Sequence, residues 1–189
     1  MVNEKFGYRE KLSTEMAAYT LLNNVLSSLD RKNFVGGLFC DLQKAFDCVN
    51  HNILLAKMDF YGISGIVNKL MRLYLENRHQ RITMKYIKLN KVSSKWEHVK
   101  HRFPQGSVFG PLLFLIYIND FSLTICKIAN PILFADDTSI IISNTSPEEF
   151  KSNISLVLIE ALNWFQSNLL TLNCHKTHFL QFLTKNIMK

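Results

Sequence analysis

No stretch of this chain is long and apolar enough to span a bilayer. The longest apolar run, residues 108–118, is short and has Gly110-Pro111 inside it. The N-terminal Met1-Val2-Asn3-Glu4-Lys5 is polar and carries no signal-peptide core. The four cysteines (Cys40, Cys48, Cys126, Cys174) form no Cys-x-x-Cys pair, so reduced thiols in an intracellular protein are expected. Internal repeats, low-complexity tracts and clear linkers are all missing. With 189 residues and 48% hydrophobic content, that leaves one globular domain over 1–189, large enough to bury a sizeable core.

Positive charge is present but confined. The net charge is +7, and residues 69–102 alone carry ten Lys/Arg against Glu76 and Glu97. Arg72, Arg78, Arg81, Lys85, Lys88 and Arg102 belong to this block, interleaved with Tyr74, Tyr86 and Trp96. A phosphate backbone would be held against such a block; a solvated basic hairpin has the same composition.

Caps and periodicity give the coarse architecture. Ser13 caps a helix over Thr14–Asp30 with Ala18, Leu22, Val25, Leu26 and Leu29 as its apolar face. A strand ending at Asp41 follows. Helices fit 51–61, closed by Gly62, and 64–77, the latter burying Ile66, Val67, Leu70, Met71 and Tyr74. Ile82, Met84 and Tyr86 alternate with polar residues, and Leu89-Asn90-Lys91 turns the chain into a return strand through Trp96. Gly110-Pro111 opens an apolar helix, with Pro at a tolerated first-turn position. Ser146-Pro147-Glu148-Glu149 is a capping box that starts a helix to about residue 168, and 178–183 ends as a strand. The pattern is α+β: a split βαβ-like antiparallel sheet with helices packed on one face.

Two acidic sites stand at the ends of apolar strands. Phe34-Val35-Gly36-Gly37-Leu38-Phe39-Cys40 runs into Asp41. Ile132-Leu133-Phe134-Ala135 and Thr138-Ser139-Ile140-Ile141-Ile142 flank Asp136-Asp137, which reads as a hairpin tip. Adjacent carboxylates repel and are costly to desolvate at the mouth of a core, and a divalent cation removes that cost. An Asp-Asp step is also an ordinary solvated turn. The order of segments narrows the choice. An acid-tipped strand, the Gly/Pro-rich loop Phe103-Pro104-Gln105-Gly106-Ser107, the acid-tipped hairpin and the basic loop Leu172-Asn173-Cys174-His175-Lys176-Thr177 follow one another.

These segments resemble the catalytic motifs of the reverse transcriptases of non-LTR retrotransposons, jockey-like and related lineages. Asp41-Leu42-Gln43-Lys44-Ala45-Phe46-Asp47 looks like the first motif, Pro104-Gln105-Gly106-Ser107 with Gly110-Pro111-Leu112-Leu113-Phe114 the second, Phe134-Ala135-Asp136-Asp137-Thr138 the third, and Leu172-Asn173 with Lys176-Thr177 the fourth. Tyr74-Leu75-Glu76-Asn77-Arg78-His79-Gln80 and Tyr117-Ile118-Asn119-Asp120 match the family's intervening segments. The resemblance covers about residues 7–182. Arg102-Phe103 stands where the family usually has Gly-Val, and Phe109 where it has Leu.

The resemblance implies a polymerase palm with incomplete fingers and no thumb, a partial reverse transcriptase domain. It implies two Mg2+ ions, with Mn2+ as the alternative, held by Asp41, Asp136 and Asp137. Lys176 would act on departing pyrophosphate. Leu42, Phe46, Gln105 and Gly106 would meet the nucleotide, with Phe46 as a gate against a 2′-hydroxyl; a core role for Phe46 is the other reading. The implied partners are an RNA template, a DNA primer and deoxynucleoside triphosphates. A non-catalytic nucleic-acid-binding remnant of the same fold is the alternative, and a nucleotide cyclase on a similar palm would not need the Pro-Gln-Gly loop. His98-x-x-His101 and Cys174-His175-x-x-His178 are zinc-like in spacing only, without a complete ligand set.

Overall fold

A computed structural model describes residues 6–7, 12–76, 79–85, 91–98 and 107–184. In chain order the elements are α1 (Thr14–Asp30), β1 (Phe34–Cys40), a 3-10 turn (Ala45–Asp47), α2 (His51–Phe60), α3 (Gly65–Leu75), β2 (His79–Gln80), β3 (Thr83–Lys85), β4 (Lys91–Ser93), β5 (Glu97–His98), α4 (Phe109–Tyr117), α5 (Asn119–Ile125), β6 (Asn130–Phe134), β7 (Asp137–Asn144), α6 (Pro147–Ser167) and β8 (His178–Phe182). No helix among the described residues is long and apolar enough to cross a membrane.

Side chains satisfy orphan backbone groups at the starts of α1, α2 and α6. Ser13 Oγ accepts from Met16 N–H at 3.3 Å, and Ser146 Oγ from Glu149 N–H at 3.1 Å with Pro147 first in the helix. Gly62, at φ 81°, closes α2 in the left-handed region.

Strands β6, β7, β1 and β8 form one antiparallel sheet in that order. Alternation along β1 divides the interior. Leu38 and Cys40 join Ile140, Ile142 and Leu133 in the main core, with Phe114, Tyr117, Phe121 and Phe165 of the helical layer. Val35 faces the other way with Ile141 and Ile132. The main body of helices covers one face as expected, and α1 crosses the opposite face through Ala17 and Val25.

Two helices are rotated from the expected faces. In α1 the inward line is Ala17, Leu21, Val25 and Leu29, while Leu22 and Leu26 are exposed. Apolar residues occupy much of the helix circumference, so spacing alone does not select one stripe. In α3 the buried positions are Asn68, Met71 and Leu75; Ile66, Val67 and Leu70 are exposed and Tyr74 is half-buried. Asn68 decides this orientation. Its Nδ2 donates to Leu55 O (3.1 Å) and Asp59 Oδ1 (2.9 Å), fastening α3 to α2 through a satisfied buried amide.

A polar bracket ties the helical layer together. Lys57 Nζ donates to Tyr117 O (2.7 Å) and Asp120 Oδ1 (2.6 Å) and lies 4.6 Å from the Trp164 ring centroid. Burial lowers the Lys57 pKa, with Asp120 opposing. Tyr117, wholly buried, donates to Asn168 O at the end of α6, and burial raises its phenol to about 12.

The basic block forms two short ladders: His79↔His98 and Gln80↔Glu97, then Thr83↔Ser93, Met84↔Val92 and Lys85↔Lys91. The return strand carries one extra residue between them, a β-bulge that the alternation of Ile82 and Met84 does not reveal. The expected turn at Leu89-Asn90 and the strand residue Tyr86 lie outside the described residues.

Candidate active site

The register of the sheet brings the acidic tips together. Cys40 pairs with Thr138, so extending the ladder by one residue sets Asp41 beside Asp137, the first residue of β7. Phe134 pairs with Asp137, which leaves Ala135-Asp136 as the hairpin loop. Ala135 stands at φ 56°. A positive φ at the first loop position favours Gly, so Ala there holds about 1 kcal/mol or more of strain. The chain's start braces this turn. Phe6 N–H donates to Leu133 O at 2.8 Å, and a Cβ placed on Gly7 would collide with the backbone nitrogen of Ala135. Only glycine fits that approach.

Asp41 and Asp137 line a cleft of about 380 Å³ together with Phe39, Thr138, Ser139 and Lys176. Asp137 is exposed as a residue, yet its carboxyl is raised above its ordinary value, first by partial desolvation and then by the Asp136 and Asp41 carboxylates. Asp136 is half-buried in the turn beside it. Cys40 also lines the cleft; burial pushes its thiol up to about 12, and Thr138 Oγ1 is buried with no hydrogen-bond partner among the described residues.

The loop before β8 grips the end of β1. Gln43 N–H donates to Thr171 O at 2.8 Å, Leu42 bridges Leu172, and Asp41 N–H donates to Thr177 Oγ1 at 3.4 Å. Asn173 N–H donates to Asp41 O at 2.8 Å, and Asn173 Nδ2 to Asp41 Oδ2 at 2.9 Å. Lys176 Nζ stands 4.0 Å from the same oxygen. In sequence Asn173 is only a member of the fourth motif, and no local signal there points to its contact with Asp41.

The other candidates divide. Leu42 is buried and bridges Leu172. Phe46 is half-buried with its ring centroid 4.7 Å from that of Phe114, packed on the main core and outside the cleft lining. Arg72 pairs with Glu76 at 3.0 Å on the surface of α3. Arg81 lies 4.6 Å from the exposed Trp96 ring. Lys85 is a member of β3. Arg78, Lys88, Arg102, Gln105 and Gly106 lie outside the described residues.

Two carboxylates on one cleft suit a hard cation that keeps much of its shell for substrate phosphates. Desolvation first and the neighbouring carboxylates second raise Asp137, and such a cation relieves the repulsion between them. Among the described residues no three His, Cys, Asp or Glu side chains are gathered as a metal cluster, and His101 lies outside the described residues.

A family model described as reverse transcriptase (RNA-dependent DNA polymerase) matches residues 3–186. A probable RNA-directed DNA polymerase from transposon BS of Drosophila melanogaster is 27% identical over 93% of this chain and 19% of its own length. The RNA-directed DNA polymerase from mobile element jockey of Drosophila funebris is 31% identical over 61% of this chain and 12% of its own. The chain thus matches a fifth or less of the length of these relatives. A solved telomerase from Candida Tropicalis, in complex with a TWJ fragment of telomeric RNA, superposes with a TM-score of 0.67 at 13% identity, over 96% of this chain and 31% of that one. At that identity the likeness concerns the fold.

Proposed function

Since the chain belongs to the reverse transcriptase (RNA-dependent DNA polymerase) family, we propose that it is the palm-centred part of an RNA-directed DNA polymerase of a non-LTR retrotransposon. The observation that carries this reading is the meeting of Asp41, Asp137 and Lys176 on one cleft at the tips of paired strands. The reaction is attack of a primer 3′-hydroxyl on the α-phosphate of a deoxynucleoside triphosphate. One P–O bond forms, another breaks, and pyrophosphate leaves.

Asp41, Asp136 and Asp137 are the residues that would hold Mg2+. When bound, the cations offset the carboxylate repulsion and stabilise the attacking and leaving oxygens. Lys176, exposed on the rim and 4.0 Å from Asp41, would neutralise or protonate the departing pyrophosphate. Phe46 stays a gate candidate by its position after Asp41, though its contact with Phe114 favours a packing role. Gln105 and Gly106 are assigned to the incoming nucleotide from their motif. The ribbon of β2–β5 presents Arg81, Lys91 and Lys95 on an exposed surface, suited to the template or primer backbone.

The test is primer extension on an RNA template with Mg2+ by a complete polymerase that carries these 189 residues, with Asp41→Asn and Asp137→Asn as controls. Extension by the parent that both variants lose is expected. Extension undiminished in both would overturn the assignment. The basic ribbon favours one second reading, a non-catalytic nucleic-acid-binding remnant; it predicts salt-sensitive RNA binding with no extension under any divalent cation.

A further inference from the structure

Asp41 is held more firmly than its place at a strand end requires. A carboxylate just past the end of a ladder has free χ angles and two equivalent oxygens. Here a segment 132 residues away bonds both its main chain and its side chain. Asn173 N–H anchors the carbonyl, while Asn173 Nδ2, 2.9 Å from Oδ2, fixes the carboxylate plane. Lys176 reaches the same oxygen only at 4.0 Å from a side chain that is 70% exposed. Exposed ion pairs of that kind contribute little. The direct amide contact therefore sets the orientation. The rest of the loop is fixed independently, by Gln43–Thr171 and Leu42–Leu172 on one side and by Tyr117–Asn168 at its root.

We propose that Asn173 is a positioning residue for Asp41: by occupying Oδ2 it presets the carboxylate so that Oδ1 is offered to a divalent cation in the cleft. This rests on the reading of Asp41 as a cation ligand. Partners that orient a metal ligand commonly contribute about 10–100-fold to metal affinity. Asn173 acts without touching substrate. Removing its side chain spares the backbone bond to Asp41, so the ladder between the loop and β1 is retained.

The test is a Mn2+ titration of the 189-residue chain, followed by the electron paramagnetic resonance signal of free Mn2+, with thermal unfolding in metal-free buffer alongside. Asp41→Asn should abolish the tight site. Asn173→Ala should weaken it about tenfold or more while leaving the metal-free unfolding midpoint near that of the parent. If Asp41→Asn binds Mn2+ as the parent does, the cation-site reading falls and the proposal with it. If Asp41→Asn loses the site but Asn173→Ala keeps parental affinity, the proposal alone falls. A second measurement covers a poorly folded variant. In the parent, the side-chain amide protons of Asn173 should resist solvent exchange both without and with Mg2+. Free exchange in the Mg2+-bound state would overturn the proposal whatever the variants do.

Discussion

The acid-tipped end of the sheet and the basic ribbon are built in opposite ways. At the sheet end, Asp41 and Asp137 are held by strands paired across about a hundred residues of sequence, by the loop before β8 and by Gly7 pressed on the hairpin. The described part of the ribbon is held by neighbours in sequence: two short ladders, a bulge and the Arg81–Trp96 pair. Ile82, Met84, Val92 and Trp96 are all exposed there. Positioning two carboxylates for phosphoryl transfer tolerates little displacement, since about 1 Å can cost roughly a hundredfold. Gripping a phosphate backbone needs charge more than close placement. Substitutions at the sheet end should therefore change geometry and chemistry together, and those in the ribbon should change affinity with the fold intact.

The largest expected break is Gly7→Ala. The clash is with backbone rather than a movable side chain, so the hairpin tip must shift. Overpacking of this kind costs about 1–3 kcal/mol, and Mn2+ binding should weaken with it. Urea unfolding and the metal titration check both; parental values in the two would show that the N-terminal segment does not brace the turn.

Tyr117 offers a pH-dependent break in the helical layer behind the site. Its phenol is raised from 10.0 to about 12, so the unfolded chain loses this proton first. The stability from this group is complete below pH 10 and is lost as pH rises towards 12, about 2 kcal/mol over that window. Tyr117→Phe should flatten the alkaline decline, leaving the contributions of Cys40, whose thiol is raised from 9.0 to about 12, and of Tyr61, raised by burial. A decline as steep as in the parent would mean that Tyr117 does not titrate there.

The ribbon gives smaller effects of another kind. Reversing the charge of Arg81, Lys91 and Lys95 together should lower the slope of log RNA affinity against log salt, by roughly 0.7–0.9 for each phosphate the ribbon no longer neutralises. An unchanged slope would make the ribbon a solvated face. Smallest of all, Trp96→Ala should shift unfolding by no more than about 0.5 kcal/mol, because Trp96 is 59% exposed. A destabilisation of several kcal/mol would erase the contrast between the two regions.

What is legible in sequence follows the same division between local and distant causes. Ser13 and the Ser146 capping box place their helices, and the apolar runs around Asp41 and Asp136-Asp137 place the strand ends, because each signal is contained in a few neighbouring residues. The rotation of α3 is hidden, since Asn68 outranks the apolar residues only once α2 supplies its acceptors. The α1 stripe is ambiguous until the sheet selects Ala17 and Val25. Asn173 becomes visible only when the fold carries it to Asp41. For the pair Asp136-Asp137, spacing does not tell which residue enters the ladder; the register assigns Asp137 to the cleft and Asp136 to the turn.

The most direct test of the central claim locates the cation. Mn2+ added at substoichiometric amounts to the isotopically labelled chain broadens nearby amide resonances. Broadening is expected at residues 40–42, 136–138 and 173–176, with the ribbon at 79–85 and 91–98 unaffected, and that pattern should disappear in Asp41→Asn. Broadening spread over the surface, or centred away from Asp41 and Asp137, would contradict it.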